Sequence, residues 1–457
     1  MTAAGPVVPG RLRVAIVAAN TFEYESRLLK SALTLAADGH AVTVVAFAGA
    51  GLPSAVTLAE RVELRRIVLE RRISSGLRPL PGPFRSGVLR AVGLAADAET
   101  LPVAPAVGAD RLRAPLRRGL EILATVRRGS AWADAVAAAA PDAEIVHAKA
   151  LIALPVARAA VRQTAGPRGR FVYDVADLHT ESARLVKLPR VLRSLVRRRE
   201  QGLVRQAAGV LAATPALATE VASRFRIAPP VVLLNSPPAW HPENRGPIRS
   251  DRLATALGVP GGPGGRPIVL YQGAFRVDQG IEELVAATDD AAFVGTGAIA
   301  AFMGFGHLET WLRAEATRRP DRIALLPAVP ESELLDWTAG ADVAFVGAPP
   351  RTANQRLTLP NKLFQALMAG VPIVVGTGTE HCRLATTEEV GRCCDVDSPA
   401  LVALAIADLL AADPTDREAL RAHCREVALD RYSWEETRGG LVELYRRLAD
   451  DRREDGS

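Results

Sequence analysis

The chain has 457 residues, 49% apolar and 23% charged, which is room for two or three domains with separate cores. Its 56 Lys and Arg against 50 acidic residues give a net charge of +6, too mild to demand nucleic acid, and no basic-aromatic interleaving points that way. The opening MTAAGPVVPGRLR has no apolar signal core, and no stretch reaches the ~18 apolar residues of a membrane span, so any membrane contact is expected to be peripheral.

In chain order, a buried-strand pattern over Leu12–Ala18 leads into a helix from Glu25 to Asp38. Gly39-His40 then opens a second strand, Ala41–Phe47. Such a βαβ start predicts a parallel sheet with helices on its faces. The stretch Ser74–Ser130 carries Pro-Gly clusters and arginine-rich helices and reads as an insertion covering one side of a cleft. Further strands are predicted at Ala143–His147, Arg170–Asp174 and Val231–Asn235, with a weaker one at Gly209–Ala213. Arg111–Arg128 and Arg190–Arg205 mix arginine with Val and Leu at helical spacing. They are either solvated helical faces or surfaces that rest on anionic lipid.

Between Ser236 and Arg266 the composition turns to SPPAWHPENRGP and PGGPGGRP, the mark of a linker between compact units. A second α/β unit follows, with strands predicted at Ile268–Gln272, Ala298–Met303, Ile323–Leu326, Val343–Val346 and Pro372–Val375. The fold class is thus α/β, two Rossmann-like domains whose sheets present their carboxyl ends to a cleft. Gly273, Gly304 and Gly306 sit where strands end and Gly280 opens the following helix; there glycine serves a tight turn or lets backbone approach a pyrophosphate.

The segment Leu359–Val375, LPNKLFQALMAGVPIVV, is the most informative. Leu363, Phe364, Leu367 and Met368 recur as the core face of a short helix bounded by Pro360 and Gly370. Asn361, Lys362 and Gln365 fall on the other face, beside a helix N-terminus whose N–H groups and dipole suit a phosphate. The four cysteines, Cys382, Cys393, Cys394 and Cys424, have no metal-ligand spacing, and a bond between adjacent Cys393 and Cys394 would be strained. A reducing cytoplasm is the simplest reading, with any membrane contact on its inner face. No GxSxG elbow supports hydrolase chemistry.

PNKLFQALMAGVPIVV resembles the donor motif of family 4 glycosyltransferases with the GT-B fold. LYQGAFRVDQGIEELVAA is similar to that family's first strand and helix of the C-terminal domain, and AAFMGFGHLETWL to its glycine turn. RYSWEETRGGLVELYRRL resembles its C-terminal signature, whose helix crosses back to the first domain; YDVADLHTESARL and EIVHAKAL resemble two N-domain segments. The resemblance runs from Leu12 to about Leu448 and is weak over Ser74–Ser130. It implies an N-terminal acceptor-side domain over residues 1–235, a linker over 236–266, a nucleotide-sugar domain over 267–430, and a helix over 431–450 packing back on the N-domain.

The resemblance also implies a retaining, metal-independent sugar transfer from a nucleoside diphosphate sugar to a glycan, lipid-linked glycan or small metabolite. The nucleotide sugar is then a co-substrate, and no cofactor is implied. Lys362 and Arg276 would hold the diphosphate, and His147 would lie near the transferred sugar; a satisfied polar cap at a strand end is the other reading of that histidine. Gly273, Gly304, Gly306, Asn361, Leu363 and Gln365 would complete the donor side. Arg27, Asp177 and Glu181 would belong to the acceptor side, with loop and helix capping as the alternative for the last two. Three positions depart from the pattern. Gln365 replaces a ribose-binding glutamate, and Ala274 and Gln279 stand where an arginine and a lysine are usual. Either Arg276, Arg351, Arg356 and Lys362 compensate, or donor affinity is low, or the chain is a pseudo-glycosyltransferase that binds without turnover. A nucleotide-sugar epimerase ranks lower, since neither Asp174 nor Glu181 has an evident carboxylate partner.

Overall fold

The computed structural model describes residues 11–23, 25–69, 129–181, 190–241, 249–261 and 264–454. These form two compact units. One comprises Met1–Ala212, Ala218–Val232 and Gly440–Ser457, the other Ala213–Leu217 and Leu233–Gly439.

The first unit is built on an eight-stranded sheet: β1 (Arg13–Val17), β2 (Ala41–Phe47), β3 (Ala55–Ala59), β4 (Val62–Ile67), β5 (Ile145–Lys149), β6 (Arg170–Val175), β7 (Gly209–Ala212) and β8 (Val231–Val232). Their spatial order is β3-β4-β2-β1-β5-β6-β7-β8, all parallel except the β3–β4 pair. Ala15, Ile16, Val17, Val44 and Val45 are fully buried, because helices cover both faces and the strands read as unbroken apolar runs. β3 and β4 escape the sequence reading for the opposite reason: AVTLA and VELRRI are short, the second interrupted by charges, and both are mostly half-exposed. β8 stops at Val232, three residues short of the predicted strand. The expected insertion over Ser74–Ser130 and the basic helix over Arg111–Arg128 lie outside the described residues, apart from the start of a helical stretch over residues 129–139.

Residues Gly440 onward count with this first unit, although chain order puts them last. The Gly439–Glu454 helix buries Leu441, Leu444, Tyr445 and Leu448, and Arg446 donates to Asp38 at 2.6 Å. A Cβ on Gly209 of β7 would come within 2.8 Å of the Leu444 side chain, so glycine there lets the helix pack close.

The second unit is a six-stranded, all-parallel sheet: β9 (Ile268–Ala274), β10 (Ile299–Phe305), β11 (Ile323–Leu326), β12 (Val343–Val346), β13 (Ile373–Gly376) and β14 (Gly391–Cys394). Its order, β11-β10-β9-β12-β13-β14, is the doubly wound arrangement with a switch point between β9 and β12. Composition marks residues 236–266 as linker, yet they include a helix, Arg252–Leu257, that buries Leu253, and Arg249 pairs with Asp342 at 2.8 Å. β14 carries no strand signal in its sequence, GRCC, and is defined only by its pairing with β13.

That pairing has a covalent reinforcement. Cys382, in the Glu380–Thr387 helix, forms a disulfide with Cys393 of β14. The expectation of reduced cysteines is therefore corrected for this pair: partners 11 residues apart in sequence meet because the helix folds back beside its own following strand. Cys394 and Cys424 are free and buried, and burial pushes their thiols up to about 11 and about 12. Among the described residues no helix is long and apolar enough to cross a membrane.

Candidate functional site

In the second unit, functional side chains gather at the carboxyl ends of β9 and β12, where open α/β sheets bind ligands. The Asn361–Met368 helix points its N-terminus there. Its inner face is anchored by Leu363, Phe364, Leu367 and Met368, all inaccessible to solvent. That anchoring leaves Lys362 on the outer face, where its Nζ lies 3.9 Å from the centre of the Tyr271 ring. Tyr271 is buried in β9, and its hydroxyl donates to the Ala274 carbonyl at 3.0 Å.

The cation–π contact partly replaces water around the ammonium. It does not replace a carboxylate, and burial, followed by the nearby Arg276 charge, brings the Lys362 pKa down to about 7. Among the described residues neither Lys362 nor Arg276 forms an ion pair. Lys362, in the helix's first turn, and the nearby Arg276, neither matched by a carboxylate, form a site that favours an anion. His381, at the start of the next helix, is pushed down to about 4, first by burial and then by the Lys362 charge, and is neutral at pH 7.

The other expected groups are placed as follows. Gly273 has φ +118°, and a Cβ there would meet nothing within 4 Å, which leaves open space in front of the strand end. Gly304 is also required by packing: at φ +155° its Cβ would lie 1.9 Å from the Gly273 carbonyl oxygen. Gly306 is similarly close to Phe275. The Leu363 N–H, expected to face a ligand, donates to the Pro360 carbonyl at 3.1 Å, which leaves Asn361 and Lys362 as the first-turn donors. Arg351, one of the cations that could compensate for Ala274 and Gln279, pairs with Asp278 at 2.8 Å, Asp397 at 2.7 Å and Glu283 at 3.5 Å, so its charge is shared with three carboxylates. Arg356 donates to the Pro350 carbonyl at 3.1 Å. Gln365 meets the side chain of Gln272 at 3.0 Å, and Gln272 in turn meets Thr338 at 2.7 Å.

In the first unit, two expected site residues are closed to solvent. His147 is the third of five residues in β5 and is fully buried; its Nδ1 lies 2.8 Å from the Tyr445 hydroxyl, and its Nε2 3.7 Å from Asp174. Arg27 donates twice to the Asp174 carboxylate, at 2.7 and 2.6 Å, with both side chains buried. Burial alone would raise the Asp174 pKa, but Arg27 and His147 outweigh it and hold the carboxyl well below the usual carboxylate range. These three residues and Tyr445 therefore lock the sheet to the last helix.

The exposed end of β5 carries Lys149 instead, paired with Glu25, which also accepts from Asn20 at 2.7 Å. His179 lies beside Asp177 and Lys149; burial lowers its pKa, Asp177 opposes that and Lys149 adds to it. Glu181 accepts from Arg224 at 2.9 Å. Neither Asn20 nor Glu25 stands out in the sequence. The signal was the strand's end: β5 runs two residues beyond His147, so the side chain at the sheet edge is Lys149. Among the described residues no three His, Cys, Asp or Glu side chains are grouped as a metal centre needs.

No protein-family model matches the chain, and neither does any curated protein. Solved structures do. Sucrose-phosphate synthase from Thermosynechococcus elongatus is similar at TM-score 0.68 and 16% identity, covering 96% of this chain and 100% of that one. Trehalose 6-phosphate synthase from Burkholderia multivorans gives 0.63 and 14%, covering 98% and 99%. HepE from Anabaena, in complex with UDP, gives 0.59 and 14%, covering 97% and 100%. At these identities the likeness defines the fold: two Rossmann-like sheets of the GT-B type.

Proposed function

We propose that the chain is a glycosyltransferase that takes its sugar from a nucleoside diphosphate sugar, with retention of anomeric configuration and without a bound metal. One observation carries this reading: Lys362, in a helix's first turn at the switch point of a doubly wound sheet, and the nearby Arg276 are matched by no carboxylate among the described residues. As a sugar–phosphate bond breaks, charge grows on the leaving diphosphate, and cations fixed beforehand favour that transition state. The fold is shared with glycosyltransferases, one of them solved with UDP, which supports the choice of donor. The acceptor is a glycan, a lipid-linked glycan or a small metabolite. Among the described residues, Lys149, Glu25 and Asp177 are partly exposed polar groups at the first sheet's carboxyl edge.

A membrane-side acceptor is supported by the Arg190–Val204 helix. It exposes Val191 and Leu195 beside Arg197, Arg198 and Arg199, a combination suited to anionic lipid. The cytoplasmic location expected from the cysteines loses part of its support with the Cys382–Cys393 disulfide. A second reading, binding without turnover, is favoured by the cation count: Ala274 and Gln279 carry no charge and Arg351 is matched by three carboxylates.

A panel of nucleotide sugars, scored by thermal shift and by transfer to sugar and lipid-linked acceptors, tests both readings. Stabilisation by a uridine or guanosine diphosphate sugar with turnover supports the enzyme; binding without turnover across the acceptors supports the second reading. Lys362→Ala is the sharpest single change. Activity within about threefold of wild type, under ~0.7 kcal/mol, would count against this donor site.

A further inference from the structure

We propose that Thr338 and Gln272 form a hydrogen-bond relay that turns the carbonyl oxygen of Gln365 toward the ribose hydroxyls of the donor, which makes Thr338 a positioning residue for donor specificity. The inference rests on the donor-site reading above.

It follows from counting protons. The Thr338 Oγ1, on a fully buried residue, lies 2.7 Å from the Leu334 carbonyl oxygen and 2.7 Å from one end of the Gln272 amide. As placed, the Gln272 Oε1 faces Thr338 and its Nε2 donates to the Gln365 Oε1 at 3.0 Å, an orientation that the proton count reverses. A hydroxyl has one proton to give, and the Leu334 carbonyl can only accept. If the proton went to Gln272, two oxygens would face each other at 2.7 Å with nothing between them. The proton therefore belongs to Leu334, and Thr338 Oγ1 is left as an acceptor.

The end of Gln272 beside it must then be the amide nitrogen. Amide oxygen and nitrogen have nearly the same shape, so polar neighbours decide which is which. Gln272 is buried, and among the described residues its side chain meets no third hydrogen-bonding group to reverse the choice. With its Nε2 on Thr338, its Oε1 faces Gln365 and accepts from the Gln365 Nε2. The Gln365 Oε1 is left outside the relay as a free acceptor. Gln365 is three residues past Lys362 and on the same helical face, the position from which a neighbour of the diphosphate is reached. A neutral acceptor there takes a hydrogen bond from a ribose hydroxyl, a task that otherwise falls to a carboxylate.

The test compares binding of UDP and 2′,3′-dideoxyUDP to the full chain by calorimetry, with the guanosine pair as a second set. Wild type is expected to prefer the ribose form by roughly 10-fold or more, the size of a hydrogen bond lost at a partly buried site. Thr338→Val keeps the shape but removes the acceptor. Gln272 then turns its nitrogen to Gln365, the outward group becomes a donor, and the preference should fall to about threefold or less with dideoxy affinity unchanged. Thr338→Ser should retain the wild-type preference. A packing role would leave the ratio unmoved in the Val variant. A preserved ratio in Thr338→Val, equal losses in the Val and Ser variants, or no ribose preference in a wild type that binds UDP overturns the relay. A wild type that binds neither pair overturns the donor-site reading, and the relay falls with it.

Discussion

At Lys362 a mostly buried ammonium faces an aromatic ring and a second cation, and its pKa of about 7 makes donor binding depend on pH. A bound diphosphate would hold the amine charged, so above about pH 7 binding must take up a proton. UDP-glucose carries a diester diphosphate that does not titrate between pH 6 and 9, so any change reports the protein. Affinity for UDP-glucose should be level below about pH 6.5 and fall by up to tenfold per unit from about 7.5 to 9. Lys362→Arg stays charged throughout and should flatten the profile. Calorimetric titration across that range decides; a level wild-type profile refutes the depressed amine. For the unliganded fold the sign is fixed too. The cost of charging Lys362 is full below about 7 and fades as pH rises toward 10.5, where the unfolded amine also loses its proton. Lys362 and Gln365 were legible because helical spacing puts them opposite four apolar residues. Tyr271 was not, since an aromatic inside an apolar strand reads as core. Arg27 and Asp174 are 147 residues apart, and no local pattern announces their pairing.

Elements were legible where their chemistry is local, and least so at sheet edges. β11 and β12 fall on their predicted bounds because both are short apolar runs flanked by polar turns. β3, β4 and β14 lie at or next to an edge, where one strand face or flank needs no apolar cover, so short or charge-interrupted segments or cysteines replace the run. The Arg190–Val204 helix shows how much a tertiary partner adds. Its arginine-rich pattern gives the solvated face, while its docking depends on Glu200, buried and accepting from the Tyr173 hydroxyl at 3.1 Å. Burial raises the Glu200 pKa to about 7 against the opposing pulls of Tyr173 and Arg224. An acid with a raised folded pKa stabilises the fold fully below its unfolded value near 4.5, and that contribution is lost as pH rises through about 7. Thermal unfolding should therefore show stability falling between pH 5 and 7.5 by an amount on the order of 2–3 kcal/mol from this group, and Glu200→Gln should remove that slope. An unchanged slope in the variant would assign the pH dependence elsewhere.

At the scale of the whole chain, the first unit is closed by its last residues, so its stability depends on a segment synthesised after the entire second unit. The Gly439–Glu454 helix buries Leu441, Leu444, Tyr445 and Leu448, and the Tyr445 hydroxyl meets buried His147. Four such side chains contribute on the order of 6–12 kcal/mol, comparable with the whole net stability of a typical domain. A chain ending at Arg438 should consequently lose the first unit while keeping the second. Hydrogen exchange reads the two separately: amides of β1, β5, β6 and β7 should exchange within seconds to minutes, and those of β9, β10, β12 and β13 should stay protected. Tyr445→Phe tests the same closure more gently. It strips His147 of its hydroxyl partner but leaves the ring, and should cost roughly 1–2 kcal/mol, seen only in the first unit's amides. Retained protection of β1 and β5 in the truncated chain would show that the first unit stands without its returning helix.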